Sequence, residues 1–437
     1  MRKNSVLIIC LATLLLTPWV EAQDTKGVEA QTKVALELTK QAQALEAQSK
    51  FAESAQVWQQ VIDHLSGIHG EDSWQVVNAI LSQKVVVQEA KFTPAQMGLV
   101  EQLKKLQAQA LTQATAGDLA GSFQSLRQAR EIVVSLFGTE YHLLAQVDTR
   151  LAGMQELQGD LEGAWNAYQS ALAIAQKSFG TVHPDTELIH YKLGLLLQRV
   201  GQSNRAMTHL SQSMETSRSV YGPEDPNYAD RLTAMGIILQ STAQYQRALE
   251  LMLTAEKIQA KQLGENSDRR GLTLKDIGVT YLSMREARQA QKFLGKAAVI
   301  FDNERGKLDP FTLETRSQLA TAYAMSGDLV AAEKLLDQVL EGNRQTHGSD
   351  SVITAKSEFQ LGLLRAKRGD YPSAKILLKQ ALKTQTQVLG RSDRSTQRTA
   401  AAYVQLLEKT QQFTEAKQLR QDYTTPRTAR ADDSGER

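Results

Sequence analysis

The sequence predicts an all-α solenoid of stacked helix hairpins, and three recurring columns of residues predict it. Gly138, Gly180, Gly222, Gly264, Gly306, Gly348 and Gly390 follow one another at intervals of 42 residues. A strict period between about 20 and 50 residues marks one supersecondary unit, copied and stacked. A second column falls between the two halves of each unit, at Gly117-Asp118, Gly159-Asp160, Gly201-Gln202, Gly327-Asp328 and Gly369-Asp370. A third is small throughout: Ser122, Ala164, Ala206, Ala248, Ala290, Ala332, Ala374 and Ala416. Such a unit cannot bury its apolar face alone, so neighbours build a continuous core and leave long surfaces for partners.

Each column has a local physical meaning. A glycine between two helices supplies the left-handed residue that ends the first, and the Asp after it caps the second. Positions 243, 285 and 411 hold Ala, Arg and Gln, so those turns are expected to be less well defined. Small residues also recur inside the preceding helix at Ala152, Gly194, Gly236, Gly278, Ala320 and Gly362. Glycine inside a helix costs about 1 kcal/mol against alanine, so close helix packing is the reason for it. Asp225, Ser267, Asp309, Ser351 and Asp393 are N-cap residues at one phase, and Pro184, Pro226 and Pro310 take the first helical position. One unit therefore reads as a cap, a helix A of about 17 residues, a Gly-Asp turn, a helix B of about 19, and a terminal glycine.

The chain of 437 residues would suggest about three globular domains, but a repeat array grows without such boundaries. Only 8 prolines and 6% aromatics, with long stretches of Ala, Leu, Gln, Lys and Glu, fit helices throughout. At the N-terminus Arg2 and Lys3 precede an apolar run from Val6 to Leu16, broken by Pro18, with a small-x-small site at Val20-Glu21-Ala22. Residues 1–22 thus read as a secretory signal peptide, too short to span a bilayer, and the mature chain is expected to be periplasmic or secreted. Cys10 is the only cysteine and lies in that run, so no thiol, disulfide or thiolate metal site is expected after cleavage. Removing Arg2, Lys3 and Glu21 leaves a net charge near +1, which gives no electrostatic reason to expect nucleic acid or anionic lipid as a partner.

Two segments break the period. Residues 23–70 read as a divergent first repeat, and Gly70 to Gly138 is 68 residues, 26 more than one period. Within residues 71–96, Ser73 to Ala90 reads as an additional helix stopped by the Lys91-Phe92-Thr93-Pro94 turn. It is either a decayed repeat that lost one helix or an inserted helix offering a separate docking surface. Residues 97–423 form an array of about eight repeats, ending in a short polar cap from Phe413 to Tyr423. The tail, 424–437, lacks apolar residues and is expected to be disordered.

The pattern resembles the tetratricopeptide repeat in the 42-residue form found in kinesin light chains. The resemblance is clearest in Ala171-Leu172-Ala173-Ile174-Ala175-Gln176-Lys177-Ser178-Phe179-Gly180 and His183-Pro184-Asp185-Thr186. It implies a right-handed superhelical solenoid whose A helices line the concave side. The implied groove residues are Tyr191, Leu195, Arg199, Ile237, Lys275, Val279, Phe359, Leu363 and Lys367. That mixed apolar and basic set suits an extended or helical peptide with some acidic residues, although several could instead be core between repeats. Kinesin light chains carry consecutive asparagines there; here Tyr191-Lys192, Thr233-Ala234, Lys275-Asp276, Ser317-Gln318 and Phe359-Gln360 stand instead. Backbone clamping of cargo is therefore not carried over.

No catalytic motif stands beside this surface. The seven histidines show no His-Glu-x-x-His spacing, the glycines are too separated to cradle a phosphate, and no Gly-x-Ser-x-Gly elbow occurs. The expectation is an exported, non-catalytic scaffold without cofactor or metal that binds a peptide or protein partner, with no nucleic acid and no integral membrane segment. Its rivals are a periplasmic assembly factor or chaperone, and a structural protein that self-associates.

Overall fold

The structure is a computed structural model that describes residues 26–424, with side chains from 32 to 423. The expected signal peptide and the tail from residue 425 onward lie outside the described residues. Nineteen helices follow one another among those residues, with no strand. They divide into two compact units, Met1–Thr242 and Ala243–Arg437.

In the first unit, helices pair as Lys26–Ala47 with Phe51–His69, Pro94–Thr115 with Leu119–Phe137, His142–Gln158 with Leu161–Phe179, and Pro184–Arg199 with Ser203–Tyr221; Pro226–Ser241 follows. In the second, Tyr245–Leu263 precedes the pairs Asp268–Ser283 with Ala287–Glu304, Pro310–Ser326 with Leu329–His347, Val352–Arg368 with Tyr371–Leu389, and Arg394–Lys409 with Phe413–Thr424. Within each unit, every B helix also packs on the next A helix, as stacking requires.

The comb of terminal glycines has a backbone cause. Gly180 sits at φ 84° and ψ −177°, a region essentially closed to any residue with a Cβ. The turn column is different. Gly159 is in the ordinary left-handed region, at φ 87° and ψ 3°, which other residues can enter at a cost. Arg285 and Gln411 do enter it, at φ 62° and 61°, and Ala243 likewise at 61°. Their turns close with the same hydrogen bonds, Glu286 N–H to Tyr281 O at 2.9 Å and Gln412 N–H to Leu407 O at 2.8 Å. The expectation of ill-defined turns at 285 and 411 is therefore corrected: geometry is kept, and the backbone carries strain.

Close packing explains the small residues inside helix A. A Cβ at Gly194 would lie 2.6 Å from Leu210 Cγ, and one at Gly278 only 2.5 Å from Leu294 Cγ. Capping follows the sequence with two exceptions. Asp118, Asp160, Asp328 and Asp370 accept from their B helices, as do Asp225, Asp309, Ser351 and Asp393 from their A helices. Ser267 makes no side-chain cap. For helix Pro184–Arg199 the cap is an imidazole: His183 Nδ1 accepts Asp185 N–H at 3.1 Å.

The first hairpin keeps the repeat's register, with Ser49 in a left-handed turn and buried Ser54 in the small column. Helix Trp74–Glu89 then starts four residues after Gly70, the offset at which Pro184 follows Gly180. It packs on Phe51–His69 as an A helix does, yet pairs with no B helix of its own. Val76, Ala79 and Val86 join the core of the first hairpin, whereas Leu81 and Val77 join the core of the following repeats. A Thr93–Gln96 capping box restarts the chain at helix Pro94–Thr115.

Candidate protein-interaction face

Successive A helices touch through side chains about one period apart, and these ladders define the candidate face. In the first unit, Gln146 Nε2 donates to Asp185 Oδ2 at 2.9 Å, joining His142–Gln158 to Pro184–Arg199. Arg231 then reaches back from Pro226–Ser241 to Glu187. Its Nε and Nη2 donate to the two carboxylate oxygens at 2.7 and 2.9 Å, and Ser213 Oγ donates to Glu187 Oε1 at 2.5 Å. Glu187 is fully buried and Arg231 nearly so. Burial opposes the charge on Arg231, but the Glu187 carboxylate more than offsets this and raises its pKa. The same guanidinium lies 3.9 Å over the ring of Tyr191.

This arrangement decides what each expected groove residue does. Tyr191 is half-buried beneath Arg231, so its ring supports a charge pair. Arg199 is exposed, but Nη1 donates to Glu156 O at 3.3 Å and lies 3.6 Å from the Glu156 carboxylate. Four periods on, Lys367 Nζ does the same to Ala324 O at 3.0 Å. Both bases thus close the C-terminal end of the preceding A helix, where a cation is favoured by the exposed carbonyls. Leu195 and Ile237, one period apart, are half-buried.

The second unit repeats the theme with other residues. Lys275 Nζ lies 5.5 Å from the Phe311 ring and 3.5 Å from Asp276. Burial raises the Asp276 pKa, Lys275 lowers it, and Glu314 on the next A helix raises it again. Ser317 Oγ donates to Gln360 Oε1 at 2.9 Å. Phe359 is buried under Arg398, 5.4 Å from the ring. Val279 is half-buried, and Leu363 is 38% exposed. Of the aliphatic position shared by Leu195, Ile237, Val279 and Leu363, Leu363 is exposed and the other three are half-buried, Val279 packing on the core beside it, while Tyr191, Arg199, Phe359 and Lys367 are tied to neighbouring helices.

Sequence reading missed Glu187 and Arg231. Their signal was a departure from column type: Glu187 stands where positions 145, 229 and 355 hold alanine, and Arg231 where 273, 315 and 399 hold threonine. His183 was missed as a structural group. With Nδ1 accepting a backbone N–H, its Nε2 carries the proton and donates to Asn78 Oδ1 at 3.0 Å, 105 residues away. Phe179 stacks on the same ring at 4.3 Å.

Among the described residues, no group of three His, Cys, Asp or Glu side chains is placed to hold a metal ion. No helix of those residues is long and apolar enough to cross a membrane. Stacked hairpins with a laddered A-helix face define a helical-repeat scaffold for protein interaction. Residues 143–218, 185–261 and 311–387 match the tetratricopeptide repeat family, so these repeats are tetratricopeptide repeats. Among solved structures, the apo form of the quorum sensor NprR from B. thuringiensis is similar at a TM-score of 0.58 and 13% identity, over 87% of this chain and 98% of that one. The apo form of RapI gives 0.50 and 14%, over 63% and 95%. Kinesin light chain TPR-like repeats from Podosopora anserina give 0.41 and 24%, over 45% and 94%. These likenesses concern the fold. No curated protein matches the chain, and no catalytic family is indicated.

Proposed function

We propose that this chain is an exported, non-catalytic scaffold that holds a peptide or protein segment on its A-helix face. The observation that carries this reading is an aliphatic position that recurs on the A helices of each unit, half-buried at Leu195 and Ile237 in the first and at Val279, exposed at Leu363, in the second, with neighbours already fixed by hydrogen bonds and ring contacts. A wall ordered before the partner arrives loses little side-chain entropy on binding. Ligands of repeat scaffolds are gripped along such rows of equivalent positions. Export rests on the basic, apolar and small-residue order of residues 1–22.

A photocrosslinking residue placed at 195 or 363 in intact cells tests the face. Capture of a discrete protein, lost from position 195 in Ile237→Glu or from position 363 in Val279→Glu, is the expected result. Capture of nothing from either position, with crosslinks from the B-helix side instead, overturns it. Fractionation tests export separately: a full-length precursor retained in the cytoplasm removes that part of the reading.

A further inference from the structure

Whole-chain charge hides a division between the two units. Residues 26–242 carry 17 Lys and Arg against 22 Asp and Glu, whereas residues 243–424 carry 28 against 21. In the second unit, part of the basic excess is organised on the outer side of the B helices. Arg288, Lys292, Lys296 and Val299 are all exposed and fall on one stripe of helix Ala287–Glu304 at spacings of four, four and three. One period on, the stripe of Leu329–His347 holds Val330, 68% exposed, and Lys334. After another period, Tyr371–Leu389 presents Ile376, 70% exposed, with Lys379 and Lys383.

The stripe is not a general property of the repeat. At the same phases the first unit carries Asn204, Thr208, Gln212 and Glu215, then Glu162, Asn166 and Ser170, then Gln124, Arg127, Gln128 and Glu131, one base among three acids. No large apolar residue of its B helices is exposed. Three acids stand on the second unit's stripe, Glu250 with Lys257 on helix Tyr245–Leu263, and Asp337 and Glu341 on Leu329–His347; Asp337 is held by Arg365 at 3.0 Å, leaving the basic side in excess.

We propose that this B-helix stripe of the second unit docks on an anionic lipid surface. Lysines carry its charge, and its apolar members are lone aliphatic side chains without an aromatic anchor. Protein interfaces show the opposite composition, being depleted in lysine and centred on Trp, Tyr and Arg. A single-stranded nucleic acid would need aromatic stacking platforms, which the stripe lacks. A fluid lipid surface needs no shape complementarity: lysine stems reach along it to the headgroups while Val and Ile enter the interface. This docking uses the other side of the hairpins from the A-helix face and stands or falls independently of the proposed partner.

The test is cosedimentation of the mature chain with phosphatidylglycerol–phosphatidylcholine vesicles and with pure phosphatidylcholine vesicles. Binding to the first only, weakening as salt is raised, is expected. Lys292→Glu, Lys296→Glu and Lys383→Glu together should lower affinity on the order of a hundredfold or more. Lys33→Glu, Lys91→Glu and Lys105→Glu, an equal charge change in the first unit, should leave binding within about threefold once net charge is screened. Circular dichroism checks that both variants remain helical. Val299→Ser, Val330→Ser and Ile376→Ser together should remove the binding that survives high salt. The proposal is overturned by no binding to anionic vesicles at low salt, by equal loss in the two charge variants, or by tighter stripe-dependent binding to DNA than to vesicles.

Discussion

At the scale of single residues, two glycine columns of similar appearance do different work, and substitution should tell them apart. Gly180 and Gly159 both have positive φ, and a Cβ at either would meet nothing within 4 Å. Sterics with neighbours therefore cancel, leaving the backbone alone. Gly180→Ala must occupy a conformation that essentially only glycine adopts, costing about 1–3 kcal/mol. Gly159→Ala enters the left-handed region that Ala243, Arg285 and Gln411 already occupy, at about 1 kcal/mol. Arg285→Gly and Gln411→Gly should each gain roughly 0.5–1 kcal/mol, less what the freer unfolded chain takes back. Urea melts of the four variants check the order, and equal losses at 159 and 180 would refute the distinction. The same contrast explains why the terminal column is unbroken over its seven copies while the turn column drifts.

At the scale of elements, helix Trp74–Glu89 is held to the array by a neutral histidine. His183 is fully buried between Phe179, Trp74 and Asn78, and burial, helped by nearby His142, pushes its pKa down to about 3. His142 is pushed down to about 4 by burial and by Lys84. Both groups hold a proton more readily when unfolded, near the ordinary value of 6.5. The stability they confer is thus complete above that pH and falls as pH drops through 6.5 towards 4, by about 1.4 kcal/mol per pH unit for each ring. Between pH 7 and 5.5 the loss should be about 1 kcal/mol per histidine. His183→Asn keeps a capping acceptor but cannot titrate, so its urea midpoint should depend less steeply on pH than that of the unaltered chain. An identical pH slope would show that His183 contributes nothing to acid lability. The extra helix illustrates what sequence reading can and cannot reach. Its limits were legible from Ser73, the apolar spacing and Pro94, because these are local constraints on the backbone. Its destination was not, since the hydrogen bond that His183 donates to Asn78 spans 105 residues and follows no period.

At the scale of the whole molecule, periodicity made the architecture readable while concealing what is particular to each copy. Hairpin order, turn chemistry and close helix contacts recur, so the 42-residue columns announce them. The Glu187–Arg231 pair occurs once, and the aliphatic position at Leu195, Ile237, Val279 and Leu363 looks the same in sequence whether exposed or half-buried. A stacked array also makes its ends special, because the last hairpin has a neighbour on one side only. Here helix Phe413–Thr424 covers the final A helix: Ala416 is buried and Leu419 and Tyr423 pack on the core containing Tyr403, Val404 and Leu407. Polar contacts fix the same helix. Tyr403 Oη donates to Glu415 at 2.8 Å, Lys375 pairs with that carboxylate at 2.8 Å, and Thr386 and Tyr423 share a 2.6 Å hydrogen bond. Truncation after Gln412 removes all of these and exposes an apolar seam made for one more helix. Because stability in an array passes between nearest neighbours, the loss should be graded. Hydrogen exchange should accelerate most in Arg394–Lys409, less in Tyr371–Leu389, and little in Asp268–Ser283. Sedimentation of the truncated chain should show concentration-dependent association through the uncovered seam. A uniform rise in exchange throughout the second unit would mean that it folds as one cooperative block, and the nearest-neighbour description would fail there.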